Sequence, residues 1–249
     1  MEFMRCGSGR PLFLLHGFCS SSAIWRDLAL ALSDTRDVIA PDWPGFGRDA
    51  QAPALQGLRA YARALLALAD QLGIGAFDVL GHSFSGFVVQ QMLCDAPTRV
   101  HRAVLYGAGA RVEPAARFES IETTLARMRD EGPDATARRV LPTWFRSGEN
   151  HPAYADCLED SQSMSPHGGA SMMEAVQGVD FTPALAAVRT PALVILGELE
   201  RSHPLASALA LRSALSRASL CVLPDCGHAA HLERPALFLA AVRGFLNGE

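Results

Sequence analysis

Apolar residues along this chain fall into short unbroken runs separated by longer stretches with a helical period. Residues 11–16, 38–41, 77–81, 103–106, 193–197 and 219–224 are brief, largely apolar and bounded by Gly, Pro or Asp. Runs of this kind are strands buried on both faces. Ahead of them, residues 1–6 leave room only for a stub of strand, and about seven strands or fewer are expected. Between the runs, Leu58, Ala62, Leu65, Leu66, Ala69 and Leu72 repeat at helical spacing, as do apolar positions in 84–95 and 236–246. A further helix is expected over 22–32, with Ser20 to Ser22 supplying capping hydroxyls. Strands alternating with helices of this length predict an α/β fold, a mostly parallel sheet flanked by helices on both faces.

One stretch breaks the alternation. Residues 110–180 carry few strand signals and several helix-compatible segments, 118–130, 134–140, 153–160 and 169–177, punctuated by Pro114, Pro133, Pro142, Pro152 and Pro166. The pattern divides the chain into a core of residues 1–109 and 181–249 and a helical cap inserted at 110–180.

Composition mainly excludes. All 22 basic residues are arginine, so no Schiff-base lysine and no P-loop lysine exists. A net charge of −4 supplies no bulk basic field for nucleic acid or anionic lipid. An early Glu2 and an apolar run limited to Leu12 to Leu15 match neither a signal peptide nor a membrane span, which predicts a soluble cytoplasmic protein with a small-molecule partner. The oligomeric state is unknown from sequence. Cys6, Cys19, Cys94, Cys157, Cys221 and Cys226 show no CxxC or Cys/His spacing, so reduced thiols are expected and no metal or other cofactor is implied.

Val79-Leu80-Gly81-His82-Ser83-Phe84-Ser85-Gly86 runs a strand into a helix through a serine flanked by small residues. That is a nucleophile elbow, which holds the hydroxyl above the carboxyl edge of the sheet on a strained turn. The Phe84 amide then opens a helix and can donate to a developing oxyanion. Leu14-Leu15-His16-Gly17-Phe18 closes the first strand, and the Phe18 amide is placed as the second donor. Downstream, Cys226-Gly227-His228 follows the last strand, with His228 the candidate general base.

These segments, together with Asp42-x-Pro44-Gly45-x-Gly47, Gly197-x-x-Glu200 with Pro204, and Glu233 with Pro235, resemble the α/β-hydrolase superfamily. The similarity spans nearly the whole chain and points to the branch with a small helical cap, which includes esterases, enol-lactonases and carbon-carbon bond hydrolases. The resemblance implies a catalytic triad in the order nucleophile, acid, base. It also implies a serine esterase or lactonase acting through an acyl-enzyme on Ser83, without cofactor or metal. Hydrolysis of a vinylogous diketone at a carbon-carbon bond is the rival on the same fold, and a non-catalytic ligand-binding protein is the rival of another class.

Two departures from the family pattern stand out: against that pattern the short start implies that the usual first antiparallel edge strand is missing, and the acid differs. Family members usually place Asp three residues after the Gly that ends the seventh strand, whereas Gly197 is followed by Glu198-Leu199-Glu200. Glutamate can still accept the second imidazole N–H of the base and fix its tautomer. Glu200 is the expected acid, with Glu198 and then Asp225 as rivals. His16, His82 and His231 read as packed histidines. Cys19, Trp144, Phe145 and Met172 are candidates to line a pocket, although packing explains these and Phe118, Tyr154 and Met173 equally well. Arg111, Arg117, Arg127, Arg138, Arg139 and Arg146 lie in the cap among a larger number of acidic residues; one of them turned inward would suit a small, carboxylate-bearing substrate.

Overall fold

The computed structural model describes residues 1–113 and 117–248, and within them seven strands join into one sheet; Pro114 and Glu249 lie outside the described residues. The strands are β1 (Phe3–Gly7), β2 (Arg10–Leu15), β3 (Arg36–Pro41), β4 (Phe77–His82), β5 (Val100–Tyr106), β6 (Ala192–Gly197) and β7 (Ala218–Leu223). They lie in the order β1-β3-β2-β4-β5-β6-β7. Only β1 is antiparallel, pairing with β3 from Phe3 opposite Pro41 to Gly7 opposite Asp37. The short amino terminus therefore forms a five-residue edge strand rather than a stub.

Every residue of β3, β4 and β6 is buried; β6 is apolar throughout, whereas β3 and β4 also bury Arg36, Asp37, Asp78 and His82. The two-residue period sorts the β2 side chains between two cores. Leu12 and Leu14 pack with Trp25, Leu28 and Phe238 on one face, while Phe13 and Leu15 pack with Leu65, Phe87 and Met92 on the other. Each such leucine contributes about 1.5–3 kcal/mol relative to its exposed state.

In chain order, helix α1 (Arg26–Leu32) packs on the first face, and α2 (Leu58–Gln71) and α3 (Phe84–Asp95) on the second. Between β5 and β6 come α4 (Ile121–Val140), α5 (Tyr154–Ser161), α6 (Pro166–Ala175) and the short α7 (Thr182–Leu185). Helix α4 is broken at Gly132, whose φ of 86° and ψ of 172° are not helical, so the expected interruption at Pro133 appears as a kink between two helical segments. Then follow α8 (Leu205–Ala214), the one-turn α9 (Ala230–Glu233) and α10 (Pro235–Asn247). Helix α8 is not apparent from the sequence pattern. Its apolar residues run around the helix, and Leu205 and Leu209 remain exposed, so no stripe marks it.

The ends of the inserted segment meet in a bridge between Arg111 and Asp180, reinforced by the Phe181 amide donating to the Ala110 carbonyl at 2.9 Å. Its other contacts reach loops that leave the carboxyl ends of β2, β3 and β7. The Ser21 amide donates to Asp160 (2.8 Å), the Ser165 amide to the Gly45 carbonyl (2.8 Å), and the Ala229 amide to the Trp144 carbonyl (3.1 Å). The helices thus sit over the sheet edge where ligands bind in open α/β folds. Among the described residues, no helix is long and apolar enough to cross a membrane.

Candidate active site

Strand β4 turns into α3 at Ser83, which has φ 53° and ψ −114°. A non-glycine residue at positive φ is strained, and here it is held by the Ser83 amide donating to the Tyr106 carbonyl (2.8 Å) and the Gly86 amide donating to the Ser83 carbonyl (2.9 Å). Gly81 is dictated by close approach, since a Cβ there would lie 2.4 Å from the Ser85 carbonyl oxygen. Ser85 does more than stay small. Its hydroxyl donates to the His16 carbonyl at 2.5 Å, and the Trp43 indole N–H reaches both groups at 3.2 and 3.0 Å. This clamp joins α3 to the strand end that precedes Gly17 and Phe18, a contact not read from the sequence.

Phe18 and Phe84 border the same cavity as Ser83 and His228. Phe84 is the first residue of α3, so its amide is one of the helix's orphan donors. Among the described residues, the Phe18 amide donates to no protein acceptor.

His228 lies 2 % exposed on the loop after β7, and its Nδ1 is 2.5 Å from Glu200 Oε2. With a carboxylate as partner, Nδ1 carries the proton and Nε2 is left free to act as a base. Glu200 Oε1 accepts from the Ser202 amide (2.6 Å) and the His203 amide (3.4 Å). Burial works to raise the Glu200 pKa, yet the charge and hydrogen bond of His228, the charge of His203 and the Ser202 amide together hold it below the usual carboxylate value. Gly107, at φ 57°, closes the wall behind the pair: a Cβ there would lie 3.1 Å from His228 Cε1 and 3.2 Å from Glu200 Oε2. Glu198 is exposed and accepts from the Asp225 amide (3.0 Å), while Asp225 pairs with Arg146 (2.6 Å) and Arg234. Neither rival carboxylate touches His228.

The backbone of His228 is gripped separately. Its carbonyl accepts from the Tyr106 hydroxyl (2.8 Å) and from His82 Nε2 (3.1 Å). Glu233 accepts from the Gly227 amide (2.5 Å) and the Arg146 amide (2.8 Å), tying this loop to the inserted segment. His82 and Tyr106 are stacked at 4.4 Å, and burial drives the His82 pKa well below its ordinary value with help from His228 and His231. His16 donates from Nδ1 to the Gly17 carbonyl (2.9 Å) and accepts the Trp43 amide at Nε2 (3.1 Å). These histidines are packing and hydrogen-bonding elements. Tyr106 was not singled out by the sequence, because a tyrosine ending a strand carries no distinguishing local pattern.

Ser83 and His228 face a narrow cavity with about 40 Å³ of free space. Among the described residues the two side chains make no direct hydrogen bond, and catalytic bonds commonly tighten only with substrate in place. Of the residues expected in the pocket, Trp144 lies on its wall. The other three are packed away from it. Cys19 is fully buried, with burial pushing its thiol pKa up; Phe145 stacks on His151 at 4.5 Å; and Met172 points into the core while its neighbour Met173 borders the cavity. His203, not anticipated from the sequence, lines the cavity with its pKa pushed down to about 3 by burial. Among the described residues, no cluster of His, Cys, Asp and Glu has the geometry of a metal site.

A parallel sheet with a strained serine at the turn into a central helix, and a histidine-carboxylate pair beside it, defines a class. A family model described as the alpha/beta hydrolase fold matches residues 10–235, and the chain belongs to this family. It is 30% identical over 261 residues to the protein named "Putative carbamate hydrolase RutD" of Pseudomonas savastanoi pv. phaseolicola, covering 100% of this chain and 98% of that protein. It is also 30% identical to the 2-hydroxymuconate semialdehyde hydrolase of Pseudomonas sp. strain CF600, covering 96% and 88%. The solved enol-lactonase of Burkholderia xenovorans LB400 superposes with a TM-score of 0.91 at 25% identity, covering 99% and 96%. The chain is thus an enzyme of the α/β-hydrolase type.

Proposed function

We propose that this enzyme is a serine hydrolase that cleaves a carboxylic ester or lactone of a small substrate. The reading is carried by the buried His228–Glu200 pair at 2.5 Å, opening onto the same cavity as a serine held at φ 53°. In this mechanism His228 Nε2 removes the Ser83 hydroxyl proton as Oγ attacks the carbonyl carbon. The Phe18 and Phe84 amides hold the oxyanion, and Glu200 stabilises the imidazolium. His228 then returns the proton to the departing alkoxide, leaving an acyl-enzyme. Water, deprotonated by His228, attacks the acyl carbon; Ser83 leaves and is reprotonated. Ser83, His228 and Glu200 form the triad, and the helical segment 110–180 is the cap that closes the site.

An activated short-chain 4-nitrophenyl ester tests this. A burst of nitrophenolate and covalent labelling of Ser83 by a fluorophosphonate are expected, with kcat falling at least about a hundredfold in Ser83→Ala and His228→Ala. Unchanged turnover in Ser83→Ala would sink the assignment. The similarity to the 2-hydroxymuconate semialdehyde hydrolase favours carbon-carbon cleavage as the second reading, and the similarity to RutD favours a carbamate. Parallel assays on an enol-lactone, a ring-cleavage product and a carbamate rank the three by kcat/KM.

A further inference from the structure

The arginines of the inserted segment divide by what they touch. Arg111 bonds Glu113, Arg127 and Arg139 bond Glu119, Arg146 bonds Asp225, and Arg138 stands in solvent. Arg117 differs: it lines the cavity that holds Ser83 and His228, its Nε is buried, and among the described residues that nitrogen has no hydrogen-bond partner. Glu119, two positions away, is already engaged by Arg139 (3.1 Å), Arg127 (3.4 Å) and the Thr124 hydroxyl (2.8 Å). Much of the remaining wall is apolar, including Phe87, Val140, Trp144 and Val176.

A buried donor without a partner is costly, and a guanidinium in such a setting stays charged. Burial lowers the Arg117 pKa, while Glu119 and Glu200 oppose the shift. His203, the nearby imidazole on the same wall, is neutral near pH 7 because burial holds its pKa at about 3. Arg117 is therefore the permanent cation among the described residues of this cavity. Since the chain has no lysine, a fixed positive anchor here has to be a guanidinium.

We infer that Arg117 is a specificity-determining residue that pairs with a carboxylate on the substrate, so that the enzyme prefers anionic esters or lactones. This rests on reading Ser83 as the nucleophile of the same cavity. The planar fork of Arg117 matches a carboxylate through charge-assisted hydrogen bonds, and the apolar wall strengthens them by excluding water.

The test compares 4-nitrophenyl hydrogen glutarate with neutral 4-nitrophenyl pentanoate, in the wild type and in Arg117→Met, Arg117→Gln and Arg117→Lys. The wild-type kcat/KM ratio of anionic to neutral ester should be at least about tenfold, residing in KM. Arg117→Met and Arg117→Gln should bring that ratio down by about tenfold or more, with Arg117→Lys between. A wild-type ratio near one, or a ratio unchanged in the variants, overturns the inference. Calorimetry with monomethyl glutarate on Ser83→Ala, with and without Arg117→Met, reads binding without turnover, and about tenfold weaker binding is expected in the double variant. If binding follows Arg117 but neither ester turns over, the hydrolase reading fails and the subsite stands. If Ser83 hydrolyses both esters indifferently to Arg117, the subsite fails and the hydrolase reading stands. Because the Arg117 Nε is unsatisfied, Arg117→Met should unfold at a temperature no lower than the wild type; a clear fall in Tm assigns the residue a structural role and overturns the inference.

Discussion

Replacing Glu200 with glutamine removes one charge and almost no volume at the centre of the proposed triad. The two side chains are 1% and 2% exposed, so solvent screens their interaction little. For charge centres about 4 Å apart at an effective dielectric of about 20, the imidazolium formed during reaction gains about 4 kcal/mol from the carboxylate. At about 1.4 kcal/mol per decade, that loss alone lowers kcat about a thousandfold. A glutamine amide that donates to Nδ1 would also force the proton onto Nε2, the wrong tautomer for a base, which extends the loss toward about ten-thousandfold. The assay is steady-state hydrolysis of a 4-nitrophenyl ester. KM should move by no more than a few-fold, because the charge matters only once the proton has transferred. Glu198→Gln is the control. Its carboxylate is exposed and caps the Asp225 amide, so activity should stay within about twofold. A Glu200→Gln enzyme within about tenfold of the wild type, or a larger loss in Glu198→Gln, would refute the reasoning and move the acid elsewhere.

Other outcomes follow from the same packing. Gly107→Ala puts a methyl 3.1 Å from His228 Cε1 on a residue at φ 57°, so it should cost about 1–2 kcal/mol in urea unfolding and depress kcat; preserved stability and rate would show that the wall yields. Ser85→Ala leaves the His16 carbonyl with only the Trp43 indole, at a cost of about 1 kcal/mol and a several-fold fall in kcat as the Phe18 turn loosens. Unchanged kcat in Ser85→Ala would confine the clamp to folding. His203 and His231 are held neutral, each pushed down to about 3 by burial. Below the unfolded value of about 6.5 the unfolded chain binds more protons than the folded one, so stability is full above that pH and falls as pH drops toward 3. At pH 5 each histidine should cost roughly 2 kcal/mol, and His203→Gln should flatten the urea midpoint between pH 7 and 4; a parent midpoint independent of pH in that window contradicts the burial argument.

That Ser83 and His228 are candidates for one site was legible because each has a local spelling: small residues around a strand-to-helix serine, and Gly before a histidine after the last strand; the structure places both on one cavity. The core strands were legible because residues buried on both faces of a sheet are mostly apolar, as in Val79 and Leu80 or Val194 and Ile195, even though β4 also buries Asp78. Glu200 was favoured over Glu198 only by its place relative to Gly197. Their separation by burial and by contact with His228 depends on how the loop after β6 turns, which no local pattern states. The same holds for Tyr106 and Gly107, whose partners are distant in sequence and whose own neighbourhoods look ordinary.

Cys19, Phe145 and Met172 show the limit from the other side. Composition says that apolar residues near the turn and in the insertion are buried, but whether they face the core or the cavity is decided by how the turn at Cys19, the loop at Phe145 and the helix of Met172 are set against the rest. A helix places adjacent residues about 100° apart, so Met172 and Met173 are equivalent in sequence and both buried, yet of the two Met173 borders the cavity. The sequence by itself determined the architecture, the order of the chemical groups along the chain, and the absence of any lysine. Only the tertiary structure decided which carboxylate meets His228, which hydroxyl clamps the turn at Gly17, and which of several arginines lines the cavity of Ser83. The physical reason is that periodicity and turn chemistry act over a few residues, whereas these choices are made by contacts between elements whose separation along the chain is long.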